Sequence, residues 1–546
     1  MSFETGSMDK FAIELTLSRV KTLKIKNFID KNLGTLVLCF LLGFSIISFI
    51  VYSQNGLALK YNDARSHLDI GRRVVEGLKP GVAQLGSVWL PLPHILMVPT
   101  IWNDFFWHSG LSGALISMVS FVGTGLFIYK FLEKLGVGIL GKLVGVGVFI
   151  ANLNILYLQS TAMTESLLLL TMTAGVYYLT LWARDEKLIN LVKSAFWIMI
   201  STVTRYDGWF LAVFASVLVG FIVIRKKGIK AAEGNFVFFA TLAGFGIFLW
   251  FLWNLLIFKD PFYFAFGEFS ARTQQTQLEA AGELPTKGNL FLSFKAYFFA
   301  LVYNTYTYPF FVGIIGFLAL IQDKKINWRV RLATLALFGA LIFNVIALYM
   351  GHSVLFLPEI IGKTWFNVRY GVMLLPMIAI SFGYLVERAK NYRFMILGVF
   401  FLVSFFAFVN QDAVVIDDAV YGSSQKNVTE VAGWLRKNVL REEGYVLISA
   451  ASHDAIIFSS GLPMKKFIHE GTGAYWDYAV ENPDKWAKWI VMRTYDMNDL
   501  TYNEIHDAEG LEKYELVDHY PFADIYRLKS EYISEVITKP ILGKIK

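Results

Sequence analysis

The chain has 546 residues, of which 55% are hydrophobic and only 17% are charged. Soluble globular chains carry about 25% charged residues, so this composition indicates a membrane protein rather than a soluble one. In a soluble protein the net charge of +7 would suggest a nucleic-acid partner, but here it fits basic cytoplasmic loops, and we expect no nucleic acid. With Cys39 as its single cysteine, the chain has no disulfide framework and no cysteine metal site.

Apolar stretches of membrane-spanning length recur along the chain. The stretch 194–224 differs from the others because residues 204–208 (TRYDG) interrupt it. Basic segments flank it on both sides, at 184–193 and 225–230, so both of its ends should be cytoplasmic and it should contain two short spans. Together with the uninterrupted stretches this predicts eleven spans. The uninterrupted stretches are 34–53, 110–131, 143–157, 164–183, 236–257, 303–321, 332–350, 370–386 and 394–411.

The basic loops also predict the domain organisation. With the basic N-terminal arm 1–33 in the cytoplasm, an odd number of spans places everything after the last span outside. We therefore predict a mainly α, polytopic transmembrane domain over 34–411, with two large outer loops at 54–109 and 258–302, and an extracytoplasmic α/β domain over 412–546. The host membrane would be a prokaryotic-type plasma membrane or an ER-like membrane.

Residues 412–546 alternate helical and strand-like segments, which is typical of a small α/β domain. Residues 428–440 (VTEVAGWLRKNVL) have the pattern of an amphipathic helix. Three short apolar runs, 445–450 (YVLISA), 455–460 (AIIFSS) and 488–492 (KWIVM), predict buried strands.

The first outer loop carries the residues most suited to chemistry. Residues 61–78 have helical periodicity, with a charged face and a more apolar face, and predict an interfacial helix lying on the membrane. Asp63 and His67 begin the apolar face, where a carboxylate is costly unless it faces a cavity. Asp63 can be a helix cap or a catalytic base, and the two roles are compatible.

Prolines at 91 and 93 predict a turn by which the chain re-enters the membrane surface after this helix. His94 follows them directly. It can be a ligand for an acceptor or a metal, or a structural histidine whose hydrogen bonds are satisfied internally.

The opening Asp-Ala-x-x-His-x-x-Ile-Gly at 63–71, followed by Pro-Leu-Pro-His at 91–94, resembles the GT-C superfamily of integral-membrane glycosyltransferases. Within it, glycosyltransferase family 39, which includes the protein O-mannosyltransferases, is most similar. Three later segments agree: 160–167 (STAMTESL) is similar to the family's Thr-Glu segment, 204–209 (TRYDGW) to its Thr-Arg-x-x-Gly turn, and 367–370 (NVRY) to its Arg-Tyr opening of a late span.

The resemblance covers residues 34–411 and has one departure. Members of family 39 often carry Asp-Glu in the first outer loop, whereas this chain has Asn62-Asp63 with a single carboxylate. The resemblance implies transfer of a mannose-like hexose from a polyprenyl- or dolichyl-phosphate carrier to a hydroxyl of a protein, lipid or glycan, with inversion at the anomeric carbon.

The expected roles follow from this chemistry. Asp63 would be the general base. Arg205 and Arg369, each at a span end without an acidic neighbour on its own helical face, would bind the donor phosphate, or would be interface arginines that extend to the membrane surface. Glu165, together with His67 and the histidine at 94, would bind the acceptor or a divalent cation; otherwise Glu165 begins a helix and favours its dipole. No other cofactor is expected.

Two alternatives belong to other functional classes. A polytopic lipid or solute transporter would also have many spans and intramembrane charges, although no inverted repeat is evident in the sequence. A non-catalytic assembly subunit would have no cavity that joins Asp63, Glu165 and Arg205.

Overall fold

The computed structural model describes residues 32–267, 270–423 and 426–539. The predicted N-terminal arm 1–33 lies outside the described residues, except for its last two residues, which begin the first helix. The helices are α1 (Asn32–Gln54), α2 (Asn62–Val75), α3 (Leu92–Ile101), α4 (Asp104–His108), α5 (Leu111–Lys134), α6 (Ile139–Ile150), α7 (Leu153–Leu158), α8 (Glu165–Asp185), α9 (Leu188–Thr202), α10 (Asp207–Lys227), α11 (Ile229–Phe258), α12 (Tyr263–Phe266), α13 (Ala271–Ala280), α14 (Leu290–Thr305), α15 (Thr307–Gln322), α16 (Trp328–Thr334), α17 (Gly339–Tyr349), α18 (Leu375–Arg388), α19 (Arg393–Asn410), α20 (Val414–Tyr421), α21 (Thr429–Val439), α22 (Ala450–Ser460), α23 (Ala474–Glu481), α24 (Pro483–Trp486) and α25 (Leu500–Ile505). The strands are β1 (Phe356–Leu357), β2 (Ile361–Phe366), β3 (Val446–Ile448), β4 (Phe467–Ile468), β5 (Trp489–Met492), β6 (Tyr514–Tyr520) and β7 (Ala523–Leu528).

Among the described residues, eight helical segments are long and apolar enough to cross a membrane, so the chain is an integral membrane protein. They contain α1, α5, α8, α10, α11, the α16–α17 pair, α18 and α19, and each coincides with a predicted span. The pair α14 and α15 is bent by 106° and adds at most one more. Helices α6 and α9, of 12 and 15 residues, are shorter than a full span, so the total of eleven stays a prediction.

The break predicted within 194–224 is confirmed. Helix α9 ends at Thr202 and α10 begins at Asp207. At the start of α10, a Cβ on Gly208 would lie 2.3 Å from the main-chain oxygen of Ser201. Only glycine allows the two helices to approach this closely, and the tight turn holds Arg205 between them.

A five-stranded sheet lies within the C-terminal residues, as the α/β prediction requires. Its strand order is β4-β3-β5-β7-β6, with β3 parallel to β4 and β5 and the remaining pairs antiparallel. The predicted helix over 428–440 and the strands over 445–450 and 488–492 are confirmed. The strand predicted at 455–460 is wrong because this run forms the part of α22 that follows a kink at His453.

Helix α2 forms as predicted, but it does not present its charged face to water. Arg65, Asp69 and Arg72 are 8%, 3% and 5% exposed. Helix α22 of the C-terminal domain covers Arg65, whose Nη1 donates to Ser459 Oγ at 3.4 Å. Asp69 accepts from Trp107 Nε1, and Arg72 donates to the main-chain oxygen of Trp102. Protein groups therefore satisfy the polar face, and the position of the helix on the membrane stays a prediction.

Candidate active site

Asp63 lies in the first turn of α2 without acting as its cap. The N-cap residue is Tyr61, and no side chain makes a capping hydrogen bond there. The carboxylate of Asp63 instead accepts from Arg369, with 2.5 Å between Oδ2 and Nη2. The capping interpretation is therefore wrong, and Asp63 is held by a residue more than 300 positions later in the chain.

Arg369 and Arg205 share one carboxylate oxygen. Glu165, the first residue of α8, is fully buried. Its Oε1 lies 3.1 Å from Arg369 Nε and 3.0 Å from Arg205 Nη1. A buried carboxylate shared by two guanidinium groups fixes their spacing and their orientation, because charge-assisted hydrogen bonds are short and directional.

The network continues on the other side of Arg205. Its Nε lies 3.3 Å from Asp207 Oδ2, and the side-chain amide of Asn344 donates to Asp207 Oδ1 at 3.2 Å. The expectation that Arg205 has no acidic neighbour on its own helical face is therefore wrong: Arg205 lies in the turn before α10, and Asp207, the first residue of that helix, pairs with it. The alternative that Arg205 and Arg369 extend to the membrane surface is also wrong, because their side chains are only 18% and 4% exposed and are ion-paired. These contacts form one network, Asp63–Arg369–Glu165–Arg205–Asp207.

Two tyrosines pack against the arginines. The ring of Tyr370 lies 5.0 Å from the guanidinium of Arg205 and 5.3 Å from that of Arg369. Tyr61 lies 5.0 Å from Arg369 on another side, and its hydroxyl donates to Asp418 Oδ2 at 3.0 Å. Cation–π contacts of this kind leave the edges of the guanidinium groups free for hydrogen bonding.

Asp207, Tyr61 and Asp418 belong to the site, although sequence reasoning did not select them. Asp207 stands two residues after Arg205 in the motif that was singled out, so that motif carried a signal for it. Asp418 also accepts from the amide of Val368 at 3.1 Å. It lies beyond the last predicted span, where no pattern in the sequence indicates it.

Two buried atoms of the network lack a hydrogen-bond partner among the described residues. Within the described part of the chain, Arg369 Nη1 and Glu165 Oε2 are buried without a hydrogen bond. Leaving a buried charged group unsatisfied is costly, so native proteins rarely do so without a ligand or water. The side chain of Asp63 is 28% exposed. The site therefore combines an accessible carboxylate with a buried guanidinium nitrogen that is free to donate.

His67 and His94 lie beside this network but interact with each other. His67 Nδ1 and His94 Nε2 are 2.8 Å apart, and the ring of Trp89 packs 4.3 Å from that of His67. Burial, followed by the positive charges of Arg205 and Arg369, lowers the pKa of His67 to about 3. Both rings are thus neutral. No group of three or more His, Cys, Asp or Glu side chains among the described residues is placed to hold a metal ion.

Comparison with known proteins gives a match at the level of structure. No protein-family model and no curated protein sequence matches the chain. ArnT from Cupriavidus metallidurans is similar over 89% of this chain and 98% of its own, at 12% identity, with TM-scores of 0.52 bound to undecaprenyl phosphate and 0.53 in the apo state. The archaeal oligosaccharyltransferase AglB from Archaeoglobus fulgidus is similar over 88% of this chain and 72% of its own, at 12% identity and a TM-score of 0.47.

The likeness to ArnT extends through the transmembrane helices and the C-terminal domain, because it covers nearly the whole of both chains. At 12% identity it establishes the fold alone. The protein therefore shares the fold of ArnT, with a helical membrane-spanning part followed by a C-terminal domain that contains a sheet.

Proposed function

We propose that the protein is an inverting glycosyltransferase that takes a monosaccharide, a mannose-like hexose, from a polyprenyl- or dolichyl-phosphate carrier. The acceptor is a hydroxyl of a protein, lipid or glycan on the outer side of the membrane. The observation that carries the proposal is the buried network in which Arg369 Nη1 has no partner among the described residues, while Asp63 on the same arginine remains accessible. A family 39-like specificity belongs to the same proposal.

Asp63 and the two arginines have different roles in the proposed transfer. The acceptor oxygen attacks the anomeric carbon, a new carbon–oxygen bond forms, and the bond from that carbon to the phosphate oxygen breaks. Asp63 takes the hydroxyl proton as general base. The departing lipid phosphate gains negative charge, which the free Nη1 of Arg369, supported by the neighbouring Arg205, stabilises.

Glu165 acts as a positioning residue in this scheme. Because its Oε1 accepts from both arginines, it prevents the two cations from separating and lowers their mutual repulsion. Its unpartnered Oε2 is available to a hydroxyl of the sugar or the acceptor. A carboxylate in this place suits an oxocarbenium-like transition state, in which the sugar ring becomes positive.

The ArnT neighbour supports the class of donor, since that protein was crystallised with undecaprenyl phosphate. A site on a membrane-embedded network also suits a donor whose lipid tail stays in the bilayer. Ion pairs through Arg369 and Glu165 bring Asp63 and Arg205 into one network, and this supports a shared site over a non-catalytic assembly subunit.

The distribution of charge supports the proposed topology. The network lies at the N-terminal ends of α8 and α10 and in the segment 368–374 that leads into α18, and we place it on the outer side together with the C-terminal domain. The opposite ends of α8 and α10 carry Arg184 and the basic triplet 225–227, as expected for cytoplasmic ends. The membrane would be a prokaryotic-type plasma membrane or an ER-like one.

The test uses the purified full chain with polyprenyl-phosphate mannose and its glucose counterpart, and product masses are followed by mass spectrometry. Asp63→Asn keeps the size of the side chain but removes the base, so the transfer rate should fall by roughly 10²–10⁴-fold. Glu76→Gln is the matched control, because Glu76 is an acid directly after the same helix and pairs with Arg72 instead. It should retain wild-type turnover.

Both variants must first show the same thermal unfolding midpoint as the wild type. Normal turnover by Asp63→Asn would place the base elsewhere. The absence of sugar transfer from every lipid-phosphate donor by the wild-type protein would remove the enzymatic proposal itself.

A further inference from the structure

A cavity lies at the opposite end of α8 from the candidate active site. Helix α8 has 21 residues, and at 1.5 Å per residue it spans about 30 Å, the thickness of a bilayer core. The volume of the cavity is about 80 Å³. It lies where α8 and α10 end and where α9 and α16 begin. We call it the basic cavity and define it by Trp182, Glu186, Val223, Lys226, Lys227 and Arg329.

The charge of the basic cavity is unbalanced. The carboxylate of Glu186 accepts from Lys226, from Arg329, and from Lys227 at 3.1 Å. Hydrogen bonds from these three cations, with Lys226 first, lower the pKa of Glu186 to about 2, so the carboxylate stays ionised. Three cations and one carboxylate leave a net charge of about +2 in a space large enough for a small anion.

The cations remain available to a ligand. The side chains of Lys226 and Lys227 are 42% and 54% exposed, and that of Glu186 is 29% exposed. A single carboxylate cannot saturate three cationic groups, because each ammonium has three donors and a guanidinium has five. The helix ends do not decide the sign of the potential, since two C-termini and two N-termini meet here and largely offset each other.

The walls of the basic cavity are apolar. Trp182 and Val223 are 5% exposed each and form the interior, while Leu188 is 62% exposed at the rim. A ligand with an anionic head and a hydrocarbon tail satisfies both features: its phosphate meets the lysines, and its chains run along the rim into the bilayer. Basic pockets between transmembrane helices near the membrane surface commonly hold lipid headgroups.

We propose that the basic cavity binds the phosphate headgroup of an anionic membrane lipid, in the leaflet opposite the candidate active site. The inference rests on the cavity, its charge and its apolar rim. It does not depend on the proposed function, and binding can be measured without any transfer assay.

The experiment measures binding to the purified full chain in a neutral detergent by native mass spectrometry and thermal shift. Three probes are titrated: short-chain phosphatidylglycerol, short-chain phosphatidylcholine and inorganic phosphate. We expect saturable binding of phosphatidylglycerol, much weaker binding of phosphatidylcholine, and weak binding of phosphate, which lacks the apolar contacts.

Variants separate a lipid site from a purely structural ion-pair cluster. The double variant Lys226→Gln/Lys227→Gln should weaken phosphatidylglycerol binding about thirtyfold, since each lysine near an anionic lipid contributes roughly fivefold. The control is Lys324→Gln/Lys325→Gln, which removes the same charge from an exposed loop between α15 and α16. It should leave binding unchanged.

Glu186→Gln makes the decisive comparison, because it removes the competing carboxylate but keeps all three cations. A lipid site predicts tighter phosphatidylglycerol binding, by roughly fivefold. A structural cluster predicts lower stability and no gain in binding, and that result would overturn the proposal. Equal binding of phosphatidylcholine, or binding of inorganic phosphate as tight as that of phosphatidylglycerol, would also overturn it.

Discussion

The three side-chain nitrogens of Arg369 have different environments, which makes Arg369→Lys an informative substitution. In the wild-type chain Nε contacts Glu165 at 3.1 Å, Nη2 contacts Asp63 at 2.5 Å, and Nη1 is free within the described structure. A lysine keeps the charge but has one nitrogen, so it cannot serve both carboxylates and a ligand together. Losing one charged hydrogen bond costs about 1.5–3 kcal/mol. If that bond serves the transition state, kcat/KM should fall roughly 10- to 150-fold.

The matched control is Arg72→Lys. Arg72 is also a buried forked arginine, with Nη1 donating to the main-chain oxygens of Ile101 and Trp102 at 2.8 and 2.6 Å and Nη2 pairing with Asp104. Its replacement should lower the unfolding midpoint at least as much as Arg369→Lys, yet leave the activity per folded molecule unchanged. Transfer from a lipid-phosphate sugar and thermal unfolding are measured on the same preparations. If Arg369→Lys retains wild-type kcat/KM, or if Arg72→Lys loses as much, the phosphate-binding role is refuted.

Two further predictions concern pH and topology. Since the pKa of His67 falls from 6.5 to about 3 on folding, the unfolded chain binds a proton below pH 6.5 that the folded chain does not. Stability is therefore full above that pH and should decline on acidification, by about 2 kcal/mol between pH 6.5 and 5 for one histidine. His67→Gln should reduce this decline in thermal unfolding measured across that range; an unchanged decline would contradict the assignment. In a chain without its native cysteine, a cysteine at the 89% exposed Tyr495 should react with an impermeant reagent from outside, and one at Lys325 should not. The reverse pattern would invert the topology.

The charged residues of the site could be selected from the sequence, but the contacts between them could not be predicted. Asp63, Glu165, Arg205 and Arg369 stand out because charges are rare in apolar stretches, and each charge there needs a cavity or a partner. The structure brings the four together. Their contacts cross 40 to more than 300 residues, and no local periodicity specifies separations of that kind. The assignment of these residues to catalysis and phosphate binding stays a prediction.

Helix α2 and the run 455–460 also show what the pattern of apolar and polar residues leaves undetermined. Periodicity records which positions of a helix are polar, but it does not tell whether water or another domain covers them. Arg65 and Asp69 look like surface residues in the sequence but are buried, Arg65 against α22 of the C-terminal domain and Asp69 against Trp107. The run 455–460 is short and continuously apolar, a pattern that fits a buried strand and a buried helix equally well. In the structure this run is helical and follows a kink at His453.

The C-terminal residues take part in shaping the candidate site. Asp418, which follows the last long apolar helix, accepts from the hydroxyl of Tyr61 and from the amide of Val368. Tyr61 packs against the guanidinium of Arg369, and Val368 directly precedes it, so Asp418 braces that arginine from two directions. One turn of α2 beyond Asp63, Ser66 is bonded to Asp454 of the C-terminal domain. Because a helix transmits displacement between neighbouring turns, a shift of this domain would also move the proposed base relative to its arginine. The membrane bundle and the C-terminal domain therefore set the geometry of the site together.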